Sequence, residues 1–503
     1  MTQDISNKKL TVLNIVFAVL LQILTLASGF IIPKIVLSYF GSEVNGMISS
    51  ISQFLNYVQL LEGGLSGVAT AALYKALAAG DEKKVSSIIK AIDVFFKKIA
   101  LIYVCYAIVV SVVYPLVVKS DFDFVYVFSL VLIIAAGLFV QYFFSLTYKL
   151  LITSDRRGYV VSIAQIIFTV LNAALVIASV KIYPSIHILK AAGVAAYIVQ
   201  PVIFGLYVKK NYSVDKNAER DEESIKQRWD GFGQNIAYFI HSNTDVVLLT
   251  LFAGLGTVSV YSVYMMIINA VQALLISVSG AIKPIFGNVL AGKSIEEANE
   301  VFDYYELGMN VLTAIAYSCC AVLIVDFVKI YTRGVSDADY VKPLFAVLMC
   351  AAEAVYCFRD PFVSAAYAAG RFKETAKYAY AEALANIVIS LILVRKFGLA
   401  GVAAGTLSAM VYRMIAHVIY AKKHILYRPV RKWLKGFLVS LLSGAAGAAI
   451  VFKFVRTEVN GYLQWFVFAL ISFLIISATV LAATAIFYRK NVKRFLKEII
   501  PKK

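Results

Sequence analysis

The sequence predicts an all-α membrane protein of about fourteen transmembrane helices, built as two parallel six-helix repeats followed by two further helices. Three observations predict it. The 503 residues are 61% hydrophobic and only 16% charged, whereas a soluble domain is nearer half apolar and a quarter charged. The apolar residues gather into many separate runs, each reaching the roughly 20 residues that cross a bilayer as helix. A pattern of segments also recurs after about 212 residues, which is the mark of an internal repeat.

Long unbroken apolar runs exclude a closed outer-membrane barrel, whose strands show only weak alternation. In chain order the spans read approximately as 11–38, 46–74, 92–117, 122–149, 158–181, 189–208, 230–252, 256–286, 303–328, 342–367, 375–395, 399–421, 434–455 and 462–488. The opening MTQDISNKK leads into a run of spanning length with no small-residue cleavage site, so it reads as a retained first helix. An even number of crossings puts both termini on one side. The connections on that side hold Lys83, Lys84, Arg156, Arg157, Lys209, Lys210, Lys293, Arg371 and Lys373, as does the tail RKNVKRFLKEIIPKK. The opposite connections, such as GSEVN, KSDFD and AGLGTVS, are short and poorly charged. The positive-inside rule therefore predicts cytoplasmic N- and C-termini.

The same rule accounts for the formal charge of +18, from 48 Lys+Arg against 30 Asp+Glu, so no nucleic-acid partner is expected. All five cysteines fall in apolar runs without a CxxC pair, so neither metal nor disulfide is expected. The four histidines have no metal-ligand spacing, and there is no nucleophile elbow or phosphate-cradling loop. Short external connections leave no room for a catalytic domain, so the chain is expected not to be an enzyme.

The repeat shows at four places in order. FGSEVNGMISSISQF corresponds to FAGLGTVSVYSVYMM, and LAAGDEKKVSSIIKAIDVFF to LAGKSIEEANEVFDYYEL. SDRRGYVV, continuing to Asn172, corresponds to AAGRFKET, continuing to Asn386, and AAGVAA at 191–196 returns as LAGVAA at 399–404. Six helices, an even number, separate the start of one repeat from the start of the next, so the halves share one orientation. The predicted domains are a first six-helix lobe over 1–208, a cytoplasmic linker over 209–229, a second lobe over 230–421, and an appendage over 422–503. The linker is the most polar stretch, and its mixed charges are read as solvation. In the appendage, the spacing of Gly444 and Gly447 allows close helix packing.

Polar residues inside the spans carry the functional signal, because a charge at bilayer depth is costly unless it meets water or a partner. The densest stretch runs from Ala351 to Asn386, where Arg359, Asp360 and Pro361 interrupt an apolar run that also holds Glu353, Glu382 and Asn386. An internal Arg–Asp pair that only fixes packing is the bland reading of it. Arg413 and His417 are four apart in the next span. Arg359 and Arg413 are the cations best placed at depth, with Lys34 near the end of the first span. Arginine suits phosphate because its planar fork makes two charge-assisted bonds. In the second span Ser49, Gln53, Asn56, Gln59 and Gly63 recur at helical spacing beside Glu62, a wet face that must point at protein or a cavity. In the seventh, His241 and Asp245 share one face, and Asp245 could accept a proton or a sodium ion. Interhelical hydrogen bonding explains any one stripe equally well; several stripes in both halves favour a shared cavity.

These residues bring a family into view. The carrying stretches are IIPKIVLSYFGSEVNGMISSISQFLNYVQLLEGGLSG, HSNTDVVLLTLFAGLGTVSVYSVYMMI, RDPFVSAAYAAGRFKETAKYAYAEALANIVISLILVRKFGLAGVAAGT and the Tyr412-Arg413 pair. Over essentially its whole length the chain resembles the Wzx-type polysaccharide flippases of the multidrug/oligosaccharidyl-lipid/polysaccharide (MOP) exporter superfamily. The resemblance implies export of an undecaprenyl-diphosphate-linked oligosaccharide across the bacterial cytoplasmic membrane by alternating access. It implies lipid and lipid-linked sugar as partners, with a polysaccharide polymerase and chain-length machinery nearby, and a coupling H+ or Na+ in place of a cofactor. By that analogy Arg359, Arg413 and Lys34 are candidate substrate cations. Asp245, His241, Glu62, Asp360, Glu353 and Glu382 are candidates for ion coupling or charge pairing, and Gln53, Asn56, Gln59, Asn172 and Asn386 for the cavity wall. The alternatives are a drug/cation antiporter of the same superfamily, a lipid-linked peptidoglycan-precursor flippase or, in a different class, a membrane-bound polysaccharide polymerase.

Overall fold

The computed structural model of the chain describes residues 7–62, 64–215, 217–229, 232–456 and 458–489; side chains at 227–229, 232–238 and 240–242 lie outside that description. Every regular element among the described residues is helical. The chain divides into two compact units, one of Met1–Phe239 with Gly254–Ser259, the other of Ile240–Ala253 with Val260–Lys503.

The first unit contains α1 (Asn7–Asn56), α2 (Gln59–Glu62), α3 (Leu65–Ala78), α4 (Glu82–Val117), α5 (Phe124–Val140), a π-helical turn (Gln141–Ser145), α6 (Leu146–Ser154), α7 (Gly158–Ile182), α8 (Ile186–Tyr197) and α9 (Val199–Asn211). The long α1 is two arms joined at Gly41, whose φ of 82° is open to glycine at little cost. On its second arm Met47, Ile51 and Leu55 recur every four residues and are fully buried, placing one apolar stripe against the bundle. On the first arm Val12, Ile15, Val16, Val19 and Ile23 are each more than half exposed. An apolar face of that size belongs in lipid. Since lipid is as apolar as these side chains, helix association here rests on close packing rather than on expulsion of water. The span read as 46–74 is broken, with α1 ending at Asn56 and α3 resuming at Leu65.

The segment after α9 keeps most of its charges at the surface, as the sequence reading has it, and is also docked on the helices beside it. A 3-10 turn, Glu223–Trp229, packs on α3 and α4. Ile225 enters the core with no exposed surface. Lys84 Nζ lies 2.6 Å from Asp221 Oδ2, and the Asp215 amide donates to Ser86 Oγ at 3.1 Å.

The second unit is formed from α10 (Phe232–Phe252, from Ile240), α11 (Leu255–Gly292, from Val260), α12 (Ile295–Tyr331), α13 (Pro343–Ala368), α14 (Phe372–His424), α15 (Val430–Phe454) and α16 (Tyr462–Phe487). Like α1, α14 is two arms, turning at Gly398 with φ 53°. The arms close on each other at glycines: a Cβ on Gly405 would fall 2.2 Å from Ser390 Oγ, and one on Gly401 2.4 Å from the Leu393 carbonyl. The expected close packing of the appendage is present in the same form. A Cβ on Gly444 would meet Ser318 Oγ at 2.5 Å, and one on Gly447 would meet Ile476 Cα at 3.0 Å. These contacts seat α15 on α12 and α16 on α15.

Among the described residues ten continuous helical stretches are long and apolar enough to cross a bilayer. Two of them carry the turns at Gly41 and Gly398, and so supply two crossings each. With α10 and α13, whose apolar character is broken by polar residues, these give the fourteen crossings read from the sequence. The repeat has a backbone signature as well. Arg156 in SDRRGYVV has φ 60°, and Gly370, at the matching position of AAGRFKET, has φ 69°.

Candidate functional site

The polar residues of the second unit converge on α14. On its first arm Glu382, Asn386 and Ser390 recur every four residues, and on its second arm Thr406, Arg413 and His417 lie within one stripe, so both faces present polar groups at helical spacing. Because the arms touch through Gly401 and Gly405, the stripes meet rung by rung. Nearest the Gly398 turn, Ser390 Oγ donates to the Val402 carbonyl at 3.3 Å. In the next rung Asn386 Nδ2 donates to Thr406 Oγ1 at 3.1 Å. In the third, Arg413 Nη1 donates to Glu382 Oε2. Glu382 is wholly buried, about ten residues or roughly 15 Å of helix from the start of its arm.

Glu382 holds two cations. Its Oε1 accepts from Arg359 Nη1 of α13 at 2.8 Å, while its Oε2 takes Arg413. Arg359 and Arg413 are 3% and 7% exposed. The Arg359 guanidinium also lies 4.8 Å from the centre of the Tyr356 ring, a favourable cation–π distance. The Nε of each arginine is buried with no acceptor among the described residues. Two guanidiniums thus share one carboxylate and keep a spare donor each.

The adjacent Asp360 takes other partners. It accepts from Lys283 Nζ at 3.0 Å, from Tyr305 OH at 3.2 Å and from Ser279 Oγ. The internal Arg359–Asp360 pair is therefore not what the chain builds, and each residue ties α13 to a different neighbour. Glu353, on the same helix, accepts from Gln272 Nε2. His417 Nδ1 lies 3.1 Å from the Arg413 carbonyl.

Asp245, on α10, sits at the Asn386–Thr406 rung. It receives Thr406 Oγ1 at 3.0 Å and Tyr261 OH at 3.2 Å, and is 2% exposed. One carboxylate among neutral oxygens is a donor set for a hard monovalent cation or a proton, and not for a thiophilic metal. The side chain of His241 lies outside the described residues, as does Gly63.

Lys34, Glu62, Gln53, Asn56, Gln59 and Asn172 belong to the first unit. Glu62 accepts from Ser66 Oγ at 2.7 Å and from Tyr142 OH at 3.4 Å. Gln59 Nε2 donates to Asn56 Oδ1 at 3.4 Å. Gln53 Oε1 is buried with no hydrogen-bond partner among the described residues. A Cβ on Gly193 would fall 3.0 Å from Asn172 Oδ1, so the glycine admits the amide. Lys34 is half-buried beside Pro33.

Two groups of the second unit escaped the sequence reading. The first is Lys283 with Ser279 and Tyr305, the partners of Asp360; a lysine followed by Pro284 inside an apolar run was the available signal. The second joins α12, the α14–α15 turn and α15. Arg428 pairs with both Asp303 and Glu306, Lys432 pairs with Asp303, and Arg428 lies 4.8 Å from the centre of the Phe302 ring. Lys422 Nζ stands 4.0 Å from Glu306 Oε2. Beside this group is a cavity of about 20 Å³ lined by Asp303, Glu306, Asn310, Lys432 and Tyr488, room for a single water. Asp303 and Glu306, three apart inside an apolar helix, were its mark in the sequence.

No protein-family model matches the chain, and no curated protein sequence matches it. Solved structures do. A lipid II flippase, MurJ, in an inward closed conformation is similar with a TM-score of 0.74 at 16% identity, over 96% of this chain and 100% of that one. An inward-facing multidrug resistance MATE family transporter of the MOP superfamily is similar with a TM-score of 0.64 at 14% identity, over 86% of this chain and 96% of that one. The MATE multidrug transporter DinF-BH is similar with a TM-score of 0.61 at 15% identity, over 85% of this chain and 98% of that one. The fold of this chain is the fold of these transporters.

Proposed function

We propose that the chain is an alternating-access transporter that moves an undecaprenyl-diphosphate-linked oligosaccharide, the repeat unit of a surface polysaccharide, from the inner to the outer leaflet of the bacterial cytoplasmic membrane. The observation that carries this reading is the likeness to a lipid II flippase over 96% of this chain and 100% of that one. So little of the chain lies outside that likeness that it must take in much of α15 and α16. The multidrug transporters cover 86% and 85% of it. Buried guanidiniums at Arg359 and Arg413 fit a diphosphate, which their planar forks can hold through paired charge-assisted bonds. The glycan and diphosphate cross within protein while the polyprenyl tail stays in lipid, and no bond of the substrate is broken. Both termini are cytoplasmic, and polymerase and chain-length machinery receive the product. Asp245, with Thr406, Tyr261 and Asn386 around it, carries the coupling proton or sodium ion.

A second reading, transport of a lipid-linked peptidoglycan precursor, is favoured by what the flippase named above moves. The two substrates share the lipid diphosphate and differ in the glycan. Proteoliposomes loaded with each lipid separately, and scored for saccharide reaching the opposite leaflet, distinguish them. Arg359→Ala and Arg413→Ala should abolish movement of whichever lipid is carried, with the protein still inserted. Normal transport by both variants would end the cationic-site reading. Movement of neither lipid, with uptake of a cationic dye, would make the chain a drug antiporter. Asp245→Asn should blunt the dependence of transport on a proton or sodium gradient; an unchanged dependence removes Asp245 from coupling.

A further inference from the structure

We propose that Glu382 is a built-in stand-in for the transported anion: it occupies Arg359 and Arg413 while no diphosphate is bound, and the diphosphate displaces it. The inference rests on the reading of the chain as a carrier of a diphosphate-linked lipid, and it assigns to that site its resting occupant.

A pair that only fixes packing would balance its charges and satisfy its donors, since an uncompensated buried charge is expensive. The Glu382 site does neither. Two guanidiniums face one carboxylate, so the group keeps one excess positive charge. The Nε of Arg359 and of Arg413 lack acceptors among the described residues. Two carboxylates close by in the chain make their hydrogen bonds elsewhere and fill neither spare donor. Asp360 is turned to Lys283, Ser279 and Tyr305, and Glu353 to Gln272. An anion with more charge and more oxygens than a carboxylate would complete what Glu382 completes only in part, and a diphosphate is such an anion.

The position of Glu382 gives the exchange a mechanical consequence. Arg359 is on α13, Glu382 on the first arm of α14 and Arg413 on its second arm. In the unloaded protein one carboxylate therefore ties three helical segments together. A diphosphate that takes over both arginines leaves the α13–Arg413 tie intact and frees the first arm of α14 from it. Loading thus changes which helices are joined, as an alternating carrier requires if its occupied and empty forms are to move differently.

The test uses the full chain in detergent, with inorganic diphosphate as the probe. Glu382→Gln strands two buried cations, so the variant should melt below wild type and bind inorganic diphosphate about 10- to 100-fold more tightly, the worth of one to two charged hydrogen bonds no longer contested. Diphosphate should restore its melting temperature and move wild type less. Adding Arg413→Met to Glu382→Gln should remove both effects. Equal or weaker binding by Glu382→Gln, or rescue that survives loss of Arg413, overturns the proposal. If Glu382→Gln does not fold, Glu382→Asp decides: its shorter carboxylate cannot span both arginines, so its affinity should fall between the two, and a wild-type affinity overturns the proposal. Flipping in proteoliposomes is scored separately. Diphosphate rescue without flipping leaves the exchange standing and removes the transport reading, whereas flipping without rescue does the reverse.

Discussion

The two units spend their polar residues differently. In the first, Gln59 bonds to Asn56 three residues away, and the carboxylate of Glu62 takes hydroxyls, from Ser66 and Tyr142, with no cation paired to it among the described residues. In the second, charged groups reach across helices: Arg359 and Arg413 to Glu382, and Lys283 to Asp360. The contrast is sharpest where the repeat aligns Arg359-Asp360-Pro361 with the region of Phe144 to Thr147. There the first unit has a π-helical turn, Gln141–Ser145, instead of a charge pair. A π-turn and an internal proline both interrupt the helical ladder. One scaffold has therefore been broken at matching depth by backbone in one half and by proline and charge in the other. Duplication supplied the shape, and divergence supplied the electrostatics of one half.

The comparison can be broken first through stability. Replacing Glu382 with leucine leaves two buried cations without their counter-ion and should cost about 3–5 kcal/mol, read as loss of folded protein in a thermal or SDS titration. Glu62→Leu in the first unit removes hydrogen bonds only and should cost about 1 kcal/mol. Equal costs would mean that charge does not distinguish the halves.

Packing gives the next effect. Gly405→Ala forces the α14 arms apart against Ser390 and should cost about 1–3 kcal/mol. Gly67→Ala, in α3, has nothing within 4 Å of the added methyl. It should be neutral, or stabilising by up to about 1 kcal/mol through helix propensity. The same titration measures both.

The backbone signature of the repeat predicts opposite signs at one aligned position. Gly370→Ala puts a side chain into the left-handed region and should cost about 1 kcal/mol. Arg156→Gly relieves that conformation and should be neutral or gain a few tenths of a kcal/mol, because glycine's freedom in the unfolded chain opposes the relief. Equal losses at both would deny that the two turns are equivalent.

The smallest effect belongs to the docked linker. Partial burial pushes the Asp221 carboxyl up, but hydrogen bonds from Lys84 and Ser224 outweigh it and hold the group below the usual carboxylate range. The folded form is thus favoured with Asp221 ionised. Its contribution is full above the ordinary carboxylate range and fades as pH falls through the lowered value. Protease cleavage within 212–229 should accelerate only under acid conditions, and Asp221→Asn should raise the neutral rate by a factor of about 2–5, an exposed-side ion pair's worth. A pH-independent cleavage rate in wild type would show that Ile225, not the ion pair, holds the segment.

Much of the architecture was legible in the chain because the bilayer imposes simple rules. Apolar runs of spanning length became helices, and the polar residues at four-residue spacing on α14 became the rungs of a ladder. The Gly444–Gly447 spacing became a close approach, since only a missing side chain admits a neighbouring backbone. The docking of the linker was not legible, because its charges are conspicuous in sequence while Ile225, which enters the core, is a single apolar residue among them. The Asp303–Glu306–Arg428 group was missed for a related reason: the two carboxylates stand three apart, but Arg428 lies about 125 residues from them and nothing local announces the pairing.

By itself the sequence determined the class of protein, the repeat and which residues carry charge at depth. The tertiary structure alone decided whom those charges meet. Arg359 and Asp360 are neighbours in the chain and of opposite sign, yet successive residues on a helix point about 100° apart, so the two face different helices. Arg359 therefore finds Glu382 and Asp360 finds Lys283. Only the folding of α14 back on itself at Gly398, closed at Gly401 and Gly405, brings Arg413 to the other oxygen of Glu382.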